Sequence, residues 1–490
     1  MLVYFEGHDY HFECENLCRV FYPYSKVTRA QKPEQLEQED LSLYAAVKAL
    51  PEGFCCTVRI RERDRSVQRE ETAQEMEEYT LVSLVFRLFR DITGYHPCWG
   101  MLTGIHPVKL LREYTERYGG EEARSIFKNR FFVQDKKLRL AWETLRVQQP
   151  YLSRIGENDY SLYISIPFCP SRCSYCSFVS QDVGRAGKLM EPYFERLLAE
   201  LTETAQIADS LGLRLRSVYV GGGTPTTLSA KRLHALCGHV RRRFDMEDCD
   251  EFTVEAGRPD TIDEEKLRVL KQGGVTRISI NPQSMNEEVL RNIGRSHTPG
   301  DTERAFGLAR QAGFTSVNSD LIVGLQGDTF ESFQHTLRAV LGLGASNVTI
   351  HSLALKRSAE MTARGSDVTN HQNAELIDRM VDHAGAALHD RGFEPYYLYR
   401  QSRMAGNLEN TGYARSGDIC RYNIYTMDES GTVIACGAGG VSKLKDPYSG
   451  RLERIFNFKY PYEYISRNDE ILHRKKGVTT LYEQFRQRLH

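Results

Sequence analysis

The 490-residue sequence lacks an excess of charge of either sign, because 64 Lys and Arg stand against 65 Asp and Glu. A broad nucleic-acid-binding surface is strongly basic, so this balance predicts no nucleic-acid partner. The chain also lacks an uninterrupted apolar run long enough to cross a bilayer, and its first ten residues lack the basic and apolar regions of a secretory signal. These absences predict a cytoplasmic protein without a membrane span.

The sequence also lacks the second pair of cysteines or histidines that a structural zinc site requires. Of its twelve cysteines, nine are scattered, and a reducing cytosol disfavours disulfides, so most of these nine are expected to be packing residues. The other three, Cys169, Cys173 and Cys176, follow the spacing C-x3-C-x2-C. The alternatives for this triplet are three buried thiols or a partial zinc knuckle.

Three cysteines at this spacing can hold three corners of an iron–sulfur cube. A [4Fe–4S] cluster normally takes four thiolates, so a site with three leaves one iron free to bind a ligand that is not protein. The triplet therefore predicts a cluster that carries out chemistry.

The middle third of the chain alternates short apolar runs with amphipathic stretches. This alternation predicts an α/β fold with a parallel sheet and right-handed crossovers. The stretches at 189–211 and 330–343 are typical of the intervening helices. Six strand–helix units are too few for a closed eight-stranded barrel. The predicted strands are 162–166, 217–220, 251–255, 277–280, 316–323 and 347–350.

Polar residues and glycines stand at the ends of these predicted strands, where parallel α/β folds bind their ligands. Taken singly, Glu255 is expected to cap a helix, Asp320 to be a satisfied buried acid and His351 to lie in the core. Their shared placement favours a ligand site for all but His351. In strand order, these residues are the cysteine triplet, Gly221-Gly222-Gly223-Thr224, Glu255, Asn281 with Gln283, Asp320 and His351.

Together these features resemble the radical S-adenosylmethionine (SAM) enzymes, and among them the oxygen-independent coproporphyrinogen III oxidase family, most closely its HemZ branch. The resemblance covers nearly the whole chain and implies a partial (β/α)6 barrel. The stretches that carry it are Tyr163-Ile-Ser-Ile-Pro-Phe-Cys169, Val220-Gly-Gly-Gly-Thr-Pro-Thr226, Asn281-Pro-Gln-Ser284, Gly294-Arg-Ser-His297, Asp320-Leu-Ile-Val-Gly-Leu325, Met404-Ala-Gly-Asn-Leu-Glu-Asn410 and Leu102-Thr-Gly-Ile-His-Pro-Val-Lys-Leu110.

The resemblance implies a role for individual residues. The three cysteines would ligate a [4Fe–4S] cluster, and Tyr163 matches the tyrosine close to cluster-bound SAM. A carboxylate and an arginine are suitable partners for a zwitterion such as SAM. The methionyl end of SAM would lie against Gly221, Gly222, Gly223 and Thr224, and the side chains that match its binding residues are Glu255, Gln283, Arg295 and Asp320.

The implied reaction is oxidative decarboxylation of two propionates of coproporphyrinogen III to vinyl groups, which gives protoporphyrinogen IX in haem biosynthesis. No catalytic residue is expected beyond the cluster and the SAM-derived radical. The implied partners are a tetrapyrrole substrate and a flavodoxin- or ferredoxin-type electron donor. The resemblance also implies a second SAM molecule near Ile322 and Leu353.

The chain departs from the family pattern at Phe178, where the well-studied oxidases carry a fourth cysteine. Haem chaperones of the HemW type share this departure, but their His-Asn-x-x-Tyr-Trp motif is replaced here by the stretch that begins at Tyr422. A haem chaperone, or a radical methyltransferase or ring-opening enzyme acting on a tetrapyrrole, therefore remains an alternative.

The resemblance and the composition together predict three domains. Residues 1–150 form an N-terminal α+β domain of unknown role, 151–360 the radical SAM barrel, and 361–490 an α+β domain that covers the barrel mouth. Interaction and substrate gating are hypotheses for the first domain. Arg400 and Arg421 are candidates to neutralise substrate carboxylates, although solvated surface positions are the expectation for both.

Overall fold

The computed structural model describes residues 1–176, 178–354, 367–401 and 404–488. The strands are β1 Leu2–Glu6, β2 Thr28–Arg29, β3 Leu41–Leu50, β4 Gly53–Glu62, β5 Arg65–Ala73, β6 Asp159–Ile166, β7 Phe168–Cys169, β8 Gln181–Asp182, β9 Arg214–Gly222, β10 Glu251–Gly257, β11 Arg277–Ile280, β12 Ser316–Val323, β13 Asn347–Ser352, β14 Glu394–Tyr399, β15 Asn410–Ala414, β16 Thr432–Cys436, β17 Val441–Lys445 and β18 Leu452–Phe456. The α-helices are α1 His11–Phe21, α2 Glu77–Thr93, α3 Pro107–Tyr118, α4 Gly120–Ser125, α5 Asp135–Leu152, α6 Val183–Ala186, α7 Met190–Ser210, α8 Ala230–Arg243, α9 Glu264–Gln272, α10 Glu287–Asn292, α11 Pro299–Gln311, α12 Phe330–Gly342, α13 Asp367–His389, α14 Arg421–Asp428, α15 Pro461–Ser466, α16 Asn468–Lys475 and α17 Gly477–Gln487.

The predicted alternation of strand and helix is confirmed in the middle third of the chain. Strands β11 and β12 have the predicted bounds, and β6, β9, β10 and β13 are longer than predicted. Strand β6 begins earlier because its first residue, Asp159, is buried and accepts a hydrogen bond from Arg214 Nε of β9 at 2.6 Å. A charged pair of this kind interrupts the apolar pattern from which the strand was predicted, and the strand nevertheless continues through it.

These strands belong to one eleven-stranded sheet with the order β14-β15-β13-β12-β11-β10-β9-β6-β16-β17-β18. The order is linear, so the described strands form an open sheet and no closed barrel. β6, β9, β10, β11 and β12 pair in parallel, with helices in the connections. This arrangement confirms the α/β class and the open, partial barrel.

The last third of the chain contributes strands to this same sheet, which the sequence did not predict. β16 pairs in parallel with β6, and β17 and β18 follow it as antiparallel neighbours. The proposed boundary between 360 and 361 lies outside the described residues. The three-domain division therefore stays a prediction.

The described contacts divide the chain into two compact units. The first comprises Met1–Trp142, Ser352–Arg379 and Tyr399–Glu409, and the second comprises Glu143–His351, Met380–Leu398 and Asn410–His490. We call them the N-terminal unit and the barrel unit. The N-terminal unit contains the sheet β2-β1-β3-β4-β5, and α2 packs against one of its faces. In β4 every second side chain from Phe54 to Ile60 is buried, as expected for a strand with one covered face.

None of the helices in the described part of the chain is long and apolar enough to cross a lipid bilayer.

Candidate functional site

The three cysteines of the triplet lie in the loop after β6. All three are free, and Cys169 Sγ accepts a hydrogen bond from Thr224 Oγ1 at 3.5 Å. Burial raises the pKa of the Cys176 thiol, and the neighbouring Cys173 and Cys169 raise it further. A bound metal would reverse this shift, because its positive charge favours the thiolate.

No group of three His, Cys, Asp or Glu side chains among the described residues has the geometry to hold a metal ion. In an iron–sulfur cube each thiolate binds a different iron atom, so the three sulfurs need not converge on one point. Ligation of a cluster by these cysteines remains a prediction from the motif.

Arg258, which the sequence did not single out, anchors the cysteine loop from the end of β10. It is only 3% exposed, and its Nη1 donates to Ser171 Oγ at 2.5 Å. Its Nε and Nη2 donate to the two carboxylate oxygens of Asp260 at 3.0 and 2.8 Å. Bidentate pairing of this kind fixes the guanidinium. Arg258 therefore positions the loop within which the thiols lie, and its only sequence signal is an Arg-x-Asp pair just beyond a strand end.

The triple glycine packs directly against the cysteine loop. A Cβ at Gly223 would lie 2.6 Å from Phe168 O, and Gly222 has a φ of +105°, which other residues rarely adopt. The amide of Gly223 donates to Ile166 O at 2.8 Å, and that of Thr224 donates to Phe168 O at 2.7 Å. These two amides therefore hold the cysteine loop. Contact between the triple glycine and the methionyl end of SAM stays a prediction.

Three tyrosines stack beside Glu255. The rings of Tyr219 and Tyr422 are 4.5 Å apart and nearly parallel, and Tyr163 lies 6.3 and 6.2 Å from them. The Tyr219 hydroxyl donates to Glu255 Oε1 at 2.6 Å. The structure thus places Tyr163 and Glu255, two predicted SAM-binding residues, in one cluster with Tyr219 and Tyr422. No motif in the sequence pointed to these last two tyrosines as site residues.

Glu255 and Asp320 have opposite pKa shifts. Burial raises the pKa of Glu255 to about 8, Tyr219 opposes that shift, and the negative charge of Asp320 adds to it. Burial also acts to raise the pKa of Asp320, but His351 and Asn318 together lower it below its ordinary value. His351 Nε2 lies 3.7 Å from Asp320 Oδ1, and the His351 side chain is 25% exposed, so this histidine lies beside a predicted SAM-binding residue. The pair therefore holds one protonated and one ionised carboxyl group near neutral pH.

Gln283 and Arg295 each present a buried polar atom without a hydrogen-bond partner among the described residues. These atoms are Gln283 Oε1 and Arg295 Nε. Gln283 also has a φ of +68°, an uncommon conformation for a residue other than glycine. The other guanidinium nitrogens of Arg295 donate to Asn281 O at 2.5 Å and to the Tyr175 hydroxyl, in the cysteine loop, at 3.0 Å. Buried unpaired polar atoms and backbone strain together indicate a ligand-binding site.

The two arginines considered for substrate carboxylates are both committed to other contacts. Arg400 is 3% exposed, and its Nη1 and Nη2 donate to Leu102 O at 2.6 Å and Asn407 O at 3.2 Å. The expectation of a solvated surface position is wrong for Arg400. Arg421 is partly exposed and forms an ion pair with Asp250. The described contacts therefore support neither arginine as a substrate ligand.

The residues present fit a [4Fe–4S] cluster and SAM. The three free thiols supply the donor set for the cluster, and the unpaired atoms of Gln283 and Arg295 offer an acceptor and a donor to SAM. Asp320, with its lowered pKa, offers a carboxylate. Tyr163, Glu255 and Asp320 lie on β6, β10 and β12, and Gln283 and Arg295 follow β11.

Comparisons with known proteins show which family the chain resembles. The family model of the radical SAM superfamily matches residues 163–340. The oxygen-independent coproporphyrinogen-III oxidase-like protein HemZ of Bacillus subtilis is 37% identical over 404 residues, which cover 81% of this chain and 80% of that protein. The heme chaperone HemW of Haemophilus influenzae is 29% identical over 327 residues, 66% of this chain and 80% of that protein.

Among solved structures, coproporphyrinogen III oxidase (HemN) from Escherichia coli, a radical SAM enzyme, matches with a TM-score of 0.52 and 24% identity. The match covers 66% of this chain and 71% of that chain. At this level of identity the likeness shows the fold alone, and the fold is that of a radical SAM protein.

Proposed function

The chain belongs to the radical SAM superfamily and, within it, to the HemZ branch of the oxygen-independent coproporphyrinogen III oxidase family, and on that premise we propose that it oxidatively decarboxylates coproporphyrinogen III. Two propionate side chains would become vinyl groups. The observation that carries the proposal is the convergence of the free thiols, the unpaired atoms of Gln283 and Arg295, and the two carboxyl groups of Glu255 and Asp320 at one edge of the parallel sheet.

When bound, the cluster and SAM supply a 5′-deoxyadenosyl radical that removes a hydrogen atom from the propionate. The chain's own residues have positioning tasks. Arg258 and the triple glycine hold the cysteine loop, and the tyrosine stack holds Glu255.

The partners belong to the proposal as well. Coproporphyrinogen III is the tetrapyrrole substrate, and a small electron-transfer protein of the flavodoxin or ferredoxin type is the reductant.

Haem carriage is a second candidate function, because the similarity to HemW extends over two thirds of this chain and Phe178 replaces the fourth cysteine. The position at which the haem chaperones carry a histidine is Tyr422 here. Its ring is buried against Tyr219 at 4.5 Å, and Asn423 Nδ2 donates to the Tyr396 hydroxyl at 3.3 Å. Both side chains take part in internal packing, which favours the oxidase over the carrier.

The test is an anaerobic assay of the purified protein after reconstitution with iron and sulfide. With dithionite, SAM and coproporphyrinogen III, we expect 5′-deoxyadenosine together with mono- and divinyl porphyrinogen products. A variant with Ser in place of all three triplet cysteines serves as the matched control and should form neither product.

Three other results would overturn the oxidase proposal. Stoichiometric haem binding without turnover would favour the carrier. Methylated or linearised tetrapyrrole would favour a methyltransferase or ring-opening enzyme. Cleavage of SAM that is indifferent to the added porphyrinogen would place the substrate outside this class.

A further inference from the structure

The last strand of the large sheet leads into a surface rich in aromatic side chains. Phe456 is 56% exposed, Tyr460 38% and Tyr462 55%, and we call these three the aromatic face. The rings of Tyr460 and Tyr462 stack at 5.7 Å with an angle of 17° between their planes. Grouped exposed apolar rings mark an interaction site on a protein surface.

Basic residues surround the aromatic face. Between 441 and 488, eleven Lys and Arg stand against six Asp and Glu, in a chain whose overall charge is −1. Arg454 and Arg474 line a groove together with Phe456 and contact Glu429 and Glu470 at 3.4 and 3.9 Å. Lys459, exposed between Phe456 and Tyr460, forms no ion pair among the described residues. This surface is complementary to an acidic partner, and such complementarity accelerates association.

The aromatic face lies at the same edge of the sheet as the cysteine loop. Phe456 pairs with Val441, the first residue of β17, and the preceding strand β16 ends at Cys436, which pairs with Ile164 of β6. Phe456 therefore lies level with the carboxyl end of β6, from which the cysteine loop starts. β18 is three strands away from β6, and at about 4.8 Å per strand the separation is about 14 Å.

A row of packed rings runs from the cysteine loop to α15, the helix next to the aromatic face. Phe168, next to Cys169, contacts Tyr193 with ring centroids 5.3 Å apart. Tyr193 contacts Tyr464 at 5.0 Å, and Tyr464 belongs to α15, which starts between Tyr460 and Tyr462. Two ring contacts thus link the cysteine loop to α15, whose first residue lies between Tyr460 and Tyr462. The Tyr464 and Tyr193 hydroxyls both donate to buried acceptors.

We propose that the aromatic face, with Arg454 and Lys459, is the docking surface for an acidic flavodoxin-type protein that delivers electrons to this enzyme. The inference rests on the proposed function, because that chemistry requires a one-electron reductant. On each encounter the reduced flavin loses one electron and the iron–sulfur centre gains it, and no bond is formed or broken. Redox partners of this kind bury small interfaces, below about 1,200 Å² in total.

The stacked pair Tyr460 and Tyr462 favours a flavoprotein over other acidic electron carriers. Flat exposed rings complement the exposed edge of a bound flavin by stacking, whereas an iron–sulfur carrier presents no planar group.

The experiment measures binding directly, with the full-length, cluster-loaded protein under anaerobic conditions and FMN-loaded flavodoxin as the probe. We expect the double variant Arg454→Glu/Lys459→Glu to bind at least about tenfold more weakly than the unchanged protein at low salt, and to lose most of the salt dependence of Kd. Lys459→Glu alone should have a smaller effect in the same direction. Tyr462→Ser should weaken binding without changing its salt dependence.

The matched control is Lys231→Glu, an exposed residue of α8 that gives the same change in charge per site. It should bind flavodoxin as the unchanged protein does. Thermal unfolding of each variant checks that the fold is retained.

Equal affinity of the unchanged protein and the Lys459→Glu and Tyr462→Ser variants would overturn the proposal. Preference for a ferredoxin at the same residues, or self-association that these substitutions abolish, would also overturn it by identifying a different occupant. Dithionite-driven formation of 5′-deoxyadenosine bypasses docking and should be unchanged in every variant. If even the unchanged protein forms none, the proposed function fails, and the binding result stands separately.

Discussion

Two glutamates of the barrel unit, the fully buried Glu200 and the partly exposed Glu255, have opposite surroundings. The Glu200 carboxylate receives hydrogen bonds from Asn457 Nδ2, Gly437 N and the Tyr464 hydroxyl at 2.8, 2.8 and 2.5 Å, and Lys475 Nζ lies 2.9 Å away. Glu255 has one hydrogen-bond donor, Tyr219, and forms no ion pair among the described residues.

The difference separates a structural site from a ligand site. The Glu200 cluster, which we define as Glu200, Lys475, Asn457, Tyr464 and Gly437, has every carboxylate oxygen paired, and a satisfied buried network of this kind rigidifies its surroundings. It joins the hairpin after β16 to α7. By contrast, the Glu255 region retains the unpaired atoms of Gln283 and Arg295, and such atoms are stabilised only when a ligand arrives.

The buried charges of the N-terminal unit resemble the Glu200 cluster. Lys137 Nζ lies 2.7 Å from Glu409 Oε1, and Trp99 Nε1 donates to Glu409 Oε2 at 2.7 Å. Glu409 belongs to one of the stretches that resemble the oxidase family, yet its contacts are those of a structural residue. Interaction and substrate gating by the N-terminal region remain predictions.

The largest expected effect is at the cysteine loop. Cys176→Ser should reduce bound iron after anaerobic reconstitution to near zero, because two thiolates do not hold the cluster. The free energy of unfolding of the metal-free protein should change by less than about 1 kcal/mol, since the Cys176 side chain is partly exposed. Cys55→Ser, at a partly exposed cysteine of β4, is the control and should retain its iron. Full iron loading of Cys176→Ser would contradict the assignment.

The converse outcome is expected at the Glu200 cluster. Glu200→Gln leaves Lys475 buried without a compensating charge, so the free energy of unfolding should fall by about 3–5 kcal/mol in denaturant titrations. Iron bound per folded chain should stay unchanged. Glu203→Gln, at a partly exposed position on the same helix, should have little effect on stability. A loss of iron without a loss of stability would show that Glu200 belongs to the ligand site.

A smaller effect, dependent on pH, is expected at Glu255. Its pKa in the folded protein is raised to about 8, so between about pH 5 and pH 8 the folded state retains a proton that the unfolded chain releases. The free energy of unfolding of the metal-free protein should therefore fall as the pH rises through this range. Glu255→Gln should lack this decrease, so the difference in unfolding free energy between the two proteins should change by at most about 1.4 kcal/mol for each pH unit in this range.

Exposed Glu264→Gln is the control for this pH series, and its stability should follow that of the unchanged protein. Parallel curves of unfolding free energy against pH for Glu255→Gln and the unchanged protein would show that the Glu255 carboxyl group is ionised throughout this range. The surroundings of Glu255 and Glu200 would then no longer differ in their effect on ionisation.

The smallest effect is expected at Phe178. Its side chain is 62% exposed, so Phe178→Cys should change stability by less than about 0.5 kcal/mol. Iron per chain should also be unchanged, because three cysteines already supply the ligands of a site-differentiated cluster. Phe178→Ser is the control for removal of the ring alone. Appearance of a new reaction product only in Phe178→Cys would show that the fourth cysteine selects the chemistry.

Local patterns in the sequence predicted the core of the barrel unit well. β11 and β12 were predicted at their observed bounds because both are short runs rich in β-branched residues between stretches with helical periodicity. The strand-end residues were predicted for the same reason, since the carboxyl ends of parallel strands meet at one edge. β16 was not predicted as a neighbour of β6, because its pairing joins segments about 270 residues apart, for which a sequence carries no periodic signal.

The sequence by itself determined the cysteine spacing, the order of strands and helices, and the family, because these depend on residue type and local periodicity. Only the tertiary structure decided which side chains serve the site and which serve the fold. Tyr219 and Arg258 entered the site, while Arg400 and Glu409 became internal structural residues. The physical reason is that burial, pairing and pKa depend on neighbours distant in the chain, and identical side chains acquire different roles once those neighbours are in place.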